Sequence, residues 1–192
     1  MELKKTTNTA DLFALLDHLD AHNVPVLLHG GWALDALTGT VKDSHHDVDL
    51  LVHERHRRAL VRLFAGETMK DAGYKLKLNF RGTLVDLVFY RLNRAGEPVT
   101  ASPGTLVRWH PELLQGVTAP LAGRQVPVIG ATAMYAELAT PKPRKPELVA
   151  SNRRDMDRLE PLLTDDQKTD ARRYVDEKCT RWQMWLLKLG LR

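Results

Sequence analysis

The chain has 192 residues, of which 43% are hydrophobic and 27% are charged, and its formal net charge is +4. These values are ordinary for a globular protein and exclude a disordered or fibrous chain. No apolar run reaches the length of a membrane span, and the single cysteine, Cys179, excludes an internal disulfide and a cysteine-rich metal site. The N-terminus begins an amphipathic segment rather than a signal peptide, so we expect a cytoplasmic protein without a membrane partner.

The excess positive charge lies in the C-terminal quarter of the chain. Residues 1–139 carry 15 Lys and Arg against 15 Asp and Glu, whereas residues 140–192 carry 13 against 9. A basic segment can bind phosphate groups or nucleic acid. Acidic residues are interleaved throughout this one, which favours a solvated helical surface instead.

Hydrophobic periodicity predicts alternating helices and strands in the first half of the chain. Leucines at helical spacing predict a first helix, which Thr9 caps and Asn23 ends. The further elements predicted before residue 91 are a strand at 25–29, a helix at 32–37 closed by Gly39, a strand at 47–52, a helix at 54–64, and strands at 74–80 and 83–90 joined by an Arg81-Gly82 turn.

The second half of the chain is predicted to be mainly helical. Scattered proline and glycine at 98–123 give only a weak indication of structure, and Pro127 limits the strand predicted at 126–129 to a sheet edge. Helices are predicted at 131–139, 147–163 and 165–189. The fold class is therefore α/β (α+β), a mixed sheet flanked by helices, with one domain at 1–130 and a helical region at 131–192.

The last predicted helix has an apolar face that needs a partner. Its members are Trp182, Trp185, Leu186 and Leu189. They are expected to close a core or to form the contact of a homodimer.

Two carboxylates on one predicted strand indicate a metal site. Asp47 and Asp49 alternate with Val48, so both side chains leave the same face of the strand. Side by side they repel each other, and a divalent cation such as Mg²⁺ would remove that penalty. An acidic, solvent-facing strand edge is the alternative explanation.

A third carboxylate strengthens the prediction of a metal site. Asp86 lies in the middle of the apolar strand 83–90, where an isolated charge costs several kcal/mol, as an order-of-magnitude estimate, unless a cation compensates it. If this strand neighbours that of Asp47, the three carboxylates form a two-metal site of the kind used in phosphoryl or nucleotidyl transfer. A salt-bridged core aspartate is the alternative.

Gly30-Gly31 stands between a predicted strand and a predicted helix. Two glycines there let the backbone approach a ligand closely, and a helix N-terminus offers free N–H groups to an anion. A glycine pair alone is a weak signal, because most such pairs are turns. Followed by the Asp-x-Asp strand, it predicts a phosphate-binding turn.

The arrangement of these motifs resembles that of the antibiotic nucleotidyltransferases of the lincosamide and aminoglycoside 2″ types. The segments that carry the resemblance lie between about Val24 and Leu163 and are Gly30-Gly31-Trp32-Ala33-Leu34-Asp35, Leu37-Thr38-Gly39, His45-His46-Asp47-Val48-Asp49-Leu50, Val85-Asp86-Leu87 and Arg153-Arg154-Asp155.

The resemblance implies a polymerase-β-like nucleotidyltransferase fold. It also implies that AMP or another nucleoside monophosphate passes from ATP or another NTP to a hydroxyl of a small molecule, with Mg²⁺ present as two ions. It assigns Asp47, Asp49 and Asp86 to the metal site, with Asp86 also acting on the acceptor hydroxyl. Beside Gly30 and Gly31, the nucleotide-binding candidates are Lys42 and His45.

The chain departs from the family pattern at two places. Asp43 stands where such enzymes usually have an arginine, and Ser151-Asn152 stands where a lysine-aspartate pair is usual. Both departures concern triphosphate or acceptor binding. Two alternatives stay open, namely a toxin-like nucleotidyltransferase that modifies RNA or protein, and a nucleotide-binding protein that has lost catalysis.

Overall fold

A computed structural model describes residues 3, 6–41, 44–140, 146–174 and 177–180. The helices are α1 (Thr9–Ala21), α2 (Gly30–Thr38), α3 (Arg57–Leu63), α4 (Ala131–Ala139), α5 (Pro146–Leu159) and α6 (Asp165–Ala171). The strands are β1 (Val26–His29), β2 (Val48–His53), β3 (Thr68–Asp71), β4 (Lys75–Phe80), β5 (Thr83–Leu92), β6 (Pro98–Ser102), β7 (Thr105–Arg108), β8 (Thr118–Leu121), β9 (Arg124–Pro127) and β10 (Glu177–Lys178).

These elements form two compact units. The first unit comprises residues 1–91 and 118–128, and the second comprises 92–117 and 129–192. The predicted α/β class, with a mixed sheet flanked by helices, is confirmed. The division at residue 130, made from the sequence, stays a prediction.

A mixed sheet forms the centre of the first unit. Its strands follow the order β1-β2-β5-β4-β3. β2 and β5 run parallel, while the other neighbouring pairs are antiparallel. The segment between β2 and β5 contains α3, β3 and β4, so a long connection returns the chain to a parallel neighbour.

The two faces of this sheet differ in polarity. In β4, half-buried polar residues alternate with the buried Leu76, Leu78 and Phe80. The apolar face packs against helices, since the ring of His18 in α1 lies 5.2 Å from that of Phe80 and 5.6 Å from that of Phe64 at the end of α3. Because side chains alternate across a strand, the polar side chains of β4 lie on the opposite face of the sheet.

The first helix begins one residue earlier than predicted. Asn8, not Thr9, is its N-cap, and the backbone N–H of Asp11 donates to Asn8 Oδ1 at 3.0 Å. The Asp11 carboxylate accepts from the backbone N–H of Asn8 in return, which completes a capping box. Asn and Thr both cap helices well, and the position of the acidic residue at N3 decides between them.

The second unit contains strands that the sequence did not predict. β6 and β7 form an antiparallel hairpin, and β10 pairs with β7. Val99 in β6 and Leu106 in β7 form a small buried apolar cluster, with Cys179 packed against it. Residues 98–123, where the sequence gives only a weak indication of structure, therefore contain β6, β7 and, in the first unit, β8.

The helix predicted at 165–189 is also wrong. α6 ends at Ala171, and β10 begins at Glu177. The ladder with β7 supplies backbone hydrogen bonds that outweigh the helical periodicity of this segment. The apolar face predicted on residues 182–189 lies outside the described residues.

A half-buried acidic side chain, that of Glu112, fixes the start of α4 in the second unit. The backbone N–H of Ala133 donates to Glu112 Oε2 at 2.9 Å, in the first turn of the helix. α4 has the bounds predicted from the sequence. Among the described residues, no helix is both long and apolar enough to cross a membrane.

Leu50 tests the apolar face of the first unit's sheet. It is fully buried next to Asp49 in β2 but points to the opposite face. Leu50→Ala should lower the free energy of unfolding by roughly 2–5 kcal/mol, measured by urea denaturation. The matched change Met69→Ala, at a side chain that is 51% exposed, should cost far less, and equal losses would contradict this account of the core.

Candidate active site

The parallel pairing of β2 and β5 brings the predicted carboxylates together. Asp49 is the register partner of Asp86, so the two side chains leave the same face of adjacent strands. The strand predicted at 47–52 includes Asp47, but β2 begins at Val48, so Asp47 is the residue immediately before the strand. One carboxylate oxygen from each of these three residues lies within 4.8 Å of the other two.

Asp86 is the most buried of the three carboxylates, with 6% of its surface exposed. Its Oδ2 is paired with the ammonium group of Lys75. Its Oδ1 is buried and has no hydrogen-bond partner among the described residues. A buried carboxylate oxygen of this kind is costly unless a cation or a donor reaches it, so the site has the ligand chemistry of a divalent metal.

Gly30 allows the backbone to pass close to Asp49. It begins α2 directly after β1, and its φ of +66° is a left-handed conformation that favours glycine. A Cβ atom at this position would lie 2.4 Å from Asp49 Oδ2. Glycine is therefore required here both by the backbone conformation and by the approach of the carboxylate.

Gly31 makes a second close approach, to His45. A Cβ atom on Gly31 would lie 2.4 Å from His45 Nδ1. The other ring nitrogen, Nε2, is 2.8 Å from Oδ2 of the fully buried Asp35 in α2. Since Nε2–H donates to this carboxylate, Nδ1 is the nitrogen that faces the glycine turn.

Two backbone hydrogen bonds with Thr7 also hold the loop before β2 in place at His45. The N–H of Thr7 donates to the carbonyl of His45 at 2.6 Å, and the N–H of His45 donates to the carbonyl of Thr7 at 2.9 Å. The ring of Trp32 lies 4.4 Å from the imidazole between centroids. These contacts fix the imidazole beside Gly31. Lys42, the other nucleotide-binding candidate, lies outside the described residues.

Sequence reasoning missed Lys75 as the partner of Asp86. The signal was present in the β4–β5 hairpin, where Phe80 pairs with Thr83 across the two-residue turn. Counting back from the turn pairs Lys77 with Asp86 and places Lys75 two residues further along on the same face.

An aromatic pair lies further along the same sheet face. His53 is two positions beyond Leu51 and four beyond Asp49 in β2, and it is the register partner of Tyr90. Their rings meet edge to face with centroids 5.3 Å apart. Burial lowers the pKa of His53 and raises the pKa of Tyr90, so both rings are neutral at neutral pH.

Comparison with known proteins gives this arrangement a context. A 2″-aminoglycoside nucleotidyltransferase of Escherichia coli is 30% identical over 125 residues, which cover 63% of this chain and 67% of that protein. A lincosamide resistance protein of Staphylococcus haemolyticus is 29% identical over 77 residues, covering 40% of this chain and 45% of its own.

Solved structures share the fold. A lincosamide antibiotic adenylyltransferase with lincomycin bound has a TM-score of 0.64 at 20% identity, covering 82% of this chain and 99% of that one. ANT(2″)-Ia in complex with adenylyl-2″-tobramycin has a TM-score of 0.60 at 19% identity, covering 85% and 94%.

The fold and these relatives define the class of the protein, which is a nucleotidyltransferase. The family model for aminoglycoside-2″-adenylyltransferases matches residues 11–159, most of the chain. The chain belongs to this family.

Gly30→Ala should destabilise the protein more than Gly39→Ala. Both glycines have nearly the same left-handed φ, +66° and +67°, but a Cβ on Gly39 meets nothing within 4 Å. Gly39→Ala should cost about 1 kcal/mol for the backbone alone. Gly30→Ala carries the same backbone cost and also the cost of displacing the Asp49 carboxylate. The difference between the free energies of unfolding of the two variants, measured by urea denaturation, gives the cost of that displacement. Equal losses of unfolding free energy would mean that the Asp49 carboxylate can move aside at no measurable cost.

Proposed function

We propose that the protein is a Mg²⁺-dependent adenylyltransferase that transfers AMP from ATP to a hydroxyl group of an aminoglycoside or lincosamide antibiotic. The observation that carries the proposal is the cluster of Asp47, Asp49 and Asp86 beside the glycine turn, in a chain of this family. Carboxylates that approach one another this closely suit hard divalent cations better than they suit a purely structural role.

Asp47, Asp49 and Asp86 are the proposed metal ligands. The buried Oδ1 of Asp86 supports a fit, because it has no other hydrogen-bond partner in the described part of the chain. When bound, Mg²⁺ supplies charge stabilisation to the phosphate oxygens and lowers the pKa of a coordinated hydroxyl.

The glycine turn is the proposed binding element for the triphosphate. Gly30 and Gly31 lack side chains where a ligand approaches the start of α2, and the first N–H groups of a helix attract anions. His45, fixed beside Gly31 by Asp35, directs Nδ1 to the same turn. Lys42 remains a sequence-based candidate for the same role.

Asp86 is the proposed general base. The acceptor oxygen forms a bond to the α-phosphorus, the bond to pyrophosphate breaks, and the hydroxyl proton passes to the Asp86 carboxylate. Its burial keeps bulk water from competing for that position.

The acceptor class is inferred from the relatives, which include proteins named for both aminoglycosides and lincosamides. Incubating the purified chain with ATP, Mg²⁺ and a panel that includes tobramycin and lincomycin tests the proposal. We expect one antibiotic class to gain a single adenylyl group by mass spectrometry, with release of pyrophosphate. Labelling of RNA or of protein in place of any antibiotic would support the toxin-like alternative.

Asp49→Asn should greatly weaken metal-dependent nucleotide binding. The substitution removes a charged ligand while keeping the size of the side chain. Calorimetric titration of ATP with Mg²⁺ should give an affinity at least about tenfold below that of the unmodified protein, the loss typical when a metal site is disturbed. Asp20→Asn, an exposed change on α1, serves as the control for charge. Unchanged binding by Asp49→Asn would remove Asp49 from the metal site.

Asp86→Asn should lower turnover more than it lowers nucleotide binding. Loss of a general base typically reduces the rate by roughly 10²–10⁴-fold. The variant keeps the shape of the side chain, so nucleotide affinity should fall less than in Asp49→Asn. Single-turnover kinetics with the acceptor identified above measure the chemical step. Turnover near the normal rate would show that the proton leaves by another route.

A further inference from the structure

Lys75 is a cation in contact with the proposed site that neither the metal nor the phosphate assignments use. Its ammonium group is paired with Asp86 Oδ2, and its side chain is 31% exposed while that of Asp86 is 8% exposed. It stands in β4, next to the strand that carries Asp86. Lys75 therefore reaches the buried carboxylate from the solvent side of the site.

A lysine in this position has a consequence for metal binding. The ammonium group and a divalent cation carry like charges, and they would share one carboxylate of limited size. The other oxygen of Asp86, Oδ1, is buried and has no hydrogen-bond partner among the described residues, so the lysine holds one oxygen and leaves the second. The two cations cannot both be bound to Asp86 without repulsion.

We propose that Lys75 is a positioning residue that competes with the divalent cation for Asp86. It neutralises and orients the carboxylate before the metal arrives, and it releases Oδ2 when the metal binds. The flexible, partly exposed lysine side chain can withdraw to solvent without moving β4. This inference rests on the proposed function, since it requires the three carboxylates to bind metal.

Lys77 provides a matched control for this competition. It lies on the same strand and on the same face, and it is the backbone register partner of Asp86. Both lysines are half-buried and carry the same charge. Only Lys75 is paired with the Asp86 carboxylate among the ion pairs of the described residues. Neutralising each lysine in turn therefore separates direct competition from the general loss of positive charge.

The test measures Mn²⁺ binding to the full chain without nucleotide, by electron paramagnetic resonance of the free ion. Lys75→Met should bind Mn²⁺ about tenfold more tightly than the unmodified protein, as expected when a direct like-charge competitor is removed. Lys77→Met should change the affinity by less than about twofold, because the ammonium group of Lys77 forms no ion pair with Asp86 in the described part of the chain. Lys75→Arg should stay near the unmodified affinity, since it restores the charge.

Combining variants ties the effect to Asp86. In an Asp86→Asn background, adding Lys75→Met should no longer tighten Mn²⁺ binding, because the shared ligand is gone. Lys75→Gln, which retains a hydrogen-bond donor, replaces Lys75→Met in the same comparison if the methionine variant does not fold. A merely structural lysine would weaken binding on removal, not strengthen it.

The outcomes distinguish the inference from the proposed function. If Mn²⁺ binds, Asp49→Asn loses it, and Lys75→Met behaves like Lys77→Met, the competition is overturned while the metal site stands. The same holds if Lys75→Met tightens binding equally with and without Asp86. If the unmodified protein binds no Mn²⁺, both the proposed site and the competition at it are overturned.

Discussion

The site depends on one constraint, the parallel register of β2 and β5. That register sets Asp49 opposite Asp86 and, on the reverse face, Leu50 opposite Leu87. The same pairing therefore builds the apolar core and assembles the carboxylates, because side chains alternate across a strand. A shift of β2 by one residue would turn Asp49 into the core and Leu50 to the charged face, so packing of the core enforces the geometry of the site.

Placing three carboxylates close together costs electrostatic free energy, and neighbouring residues reduce that cost. Lys75 neutralises the most buried of them, and Gly30 leaves room for Asp49 at the start of α2. Functional sites commonly concentrate such unfavourable arrangements, which persist because the rest of the fold stabilises them. Here the stabilising part is the apolar face of the sheet, which is chemically independent of the charged face.

Sequence patterns predicted residues 1–91 well, apart from β3, because the signals there are local. The glycine pair, the alternation around Asp49 and the Arg81-Gly82 turn each define structure within a few residues. Pairing between distant segments could not be predicted in the same way. β10 joins β7 across some seventy residues, by count along the chain, and the helical periodicity of its segment gave no sign of that ladder. Predicting the contact of Lys75 with Asp86 requires the register of β4 against β5. That register can be derived from the sequence only if Arg81 and Gly82 are taken as a two-residue turn.

The turn between β4 and β5 restricts how the chain can change in length. Arg81 and Gly82 both have positive φ, 51° and 89°, as a tight two-residue hairpin requires. If the two-residue turn is kept, inserting one residue into β4 beside it would move the preceding side chains of β4 to the opposite face, so that Leu76 would point to the carboxylates and Lys75 into the core. The number of residues in β4 between Lys75 and the turn is therefore fixed, whereas an added residue is compatible with the site only inside the turn, where a three-residue loop keeps the strand pairing. Grafted loops that aim to alter substrate preference belong at other connections of the chain.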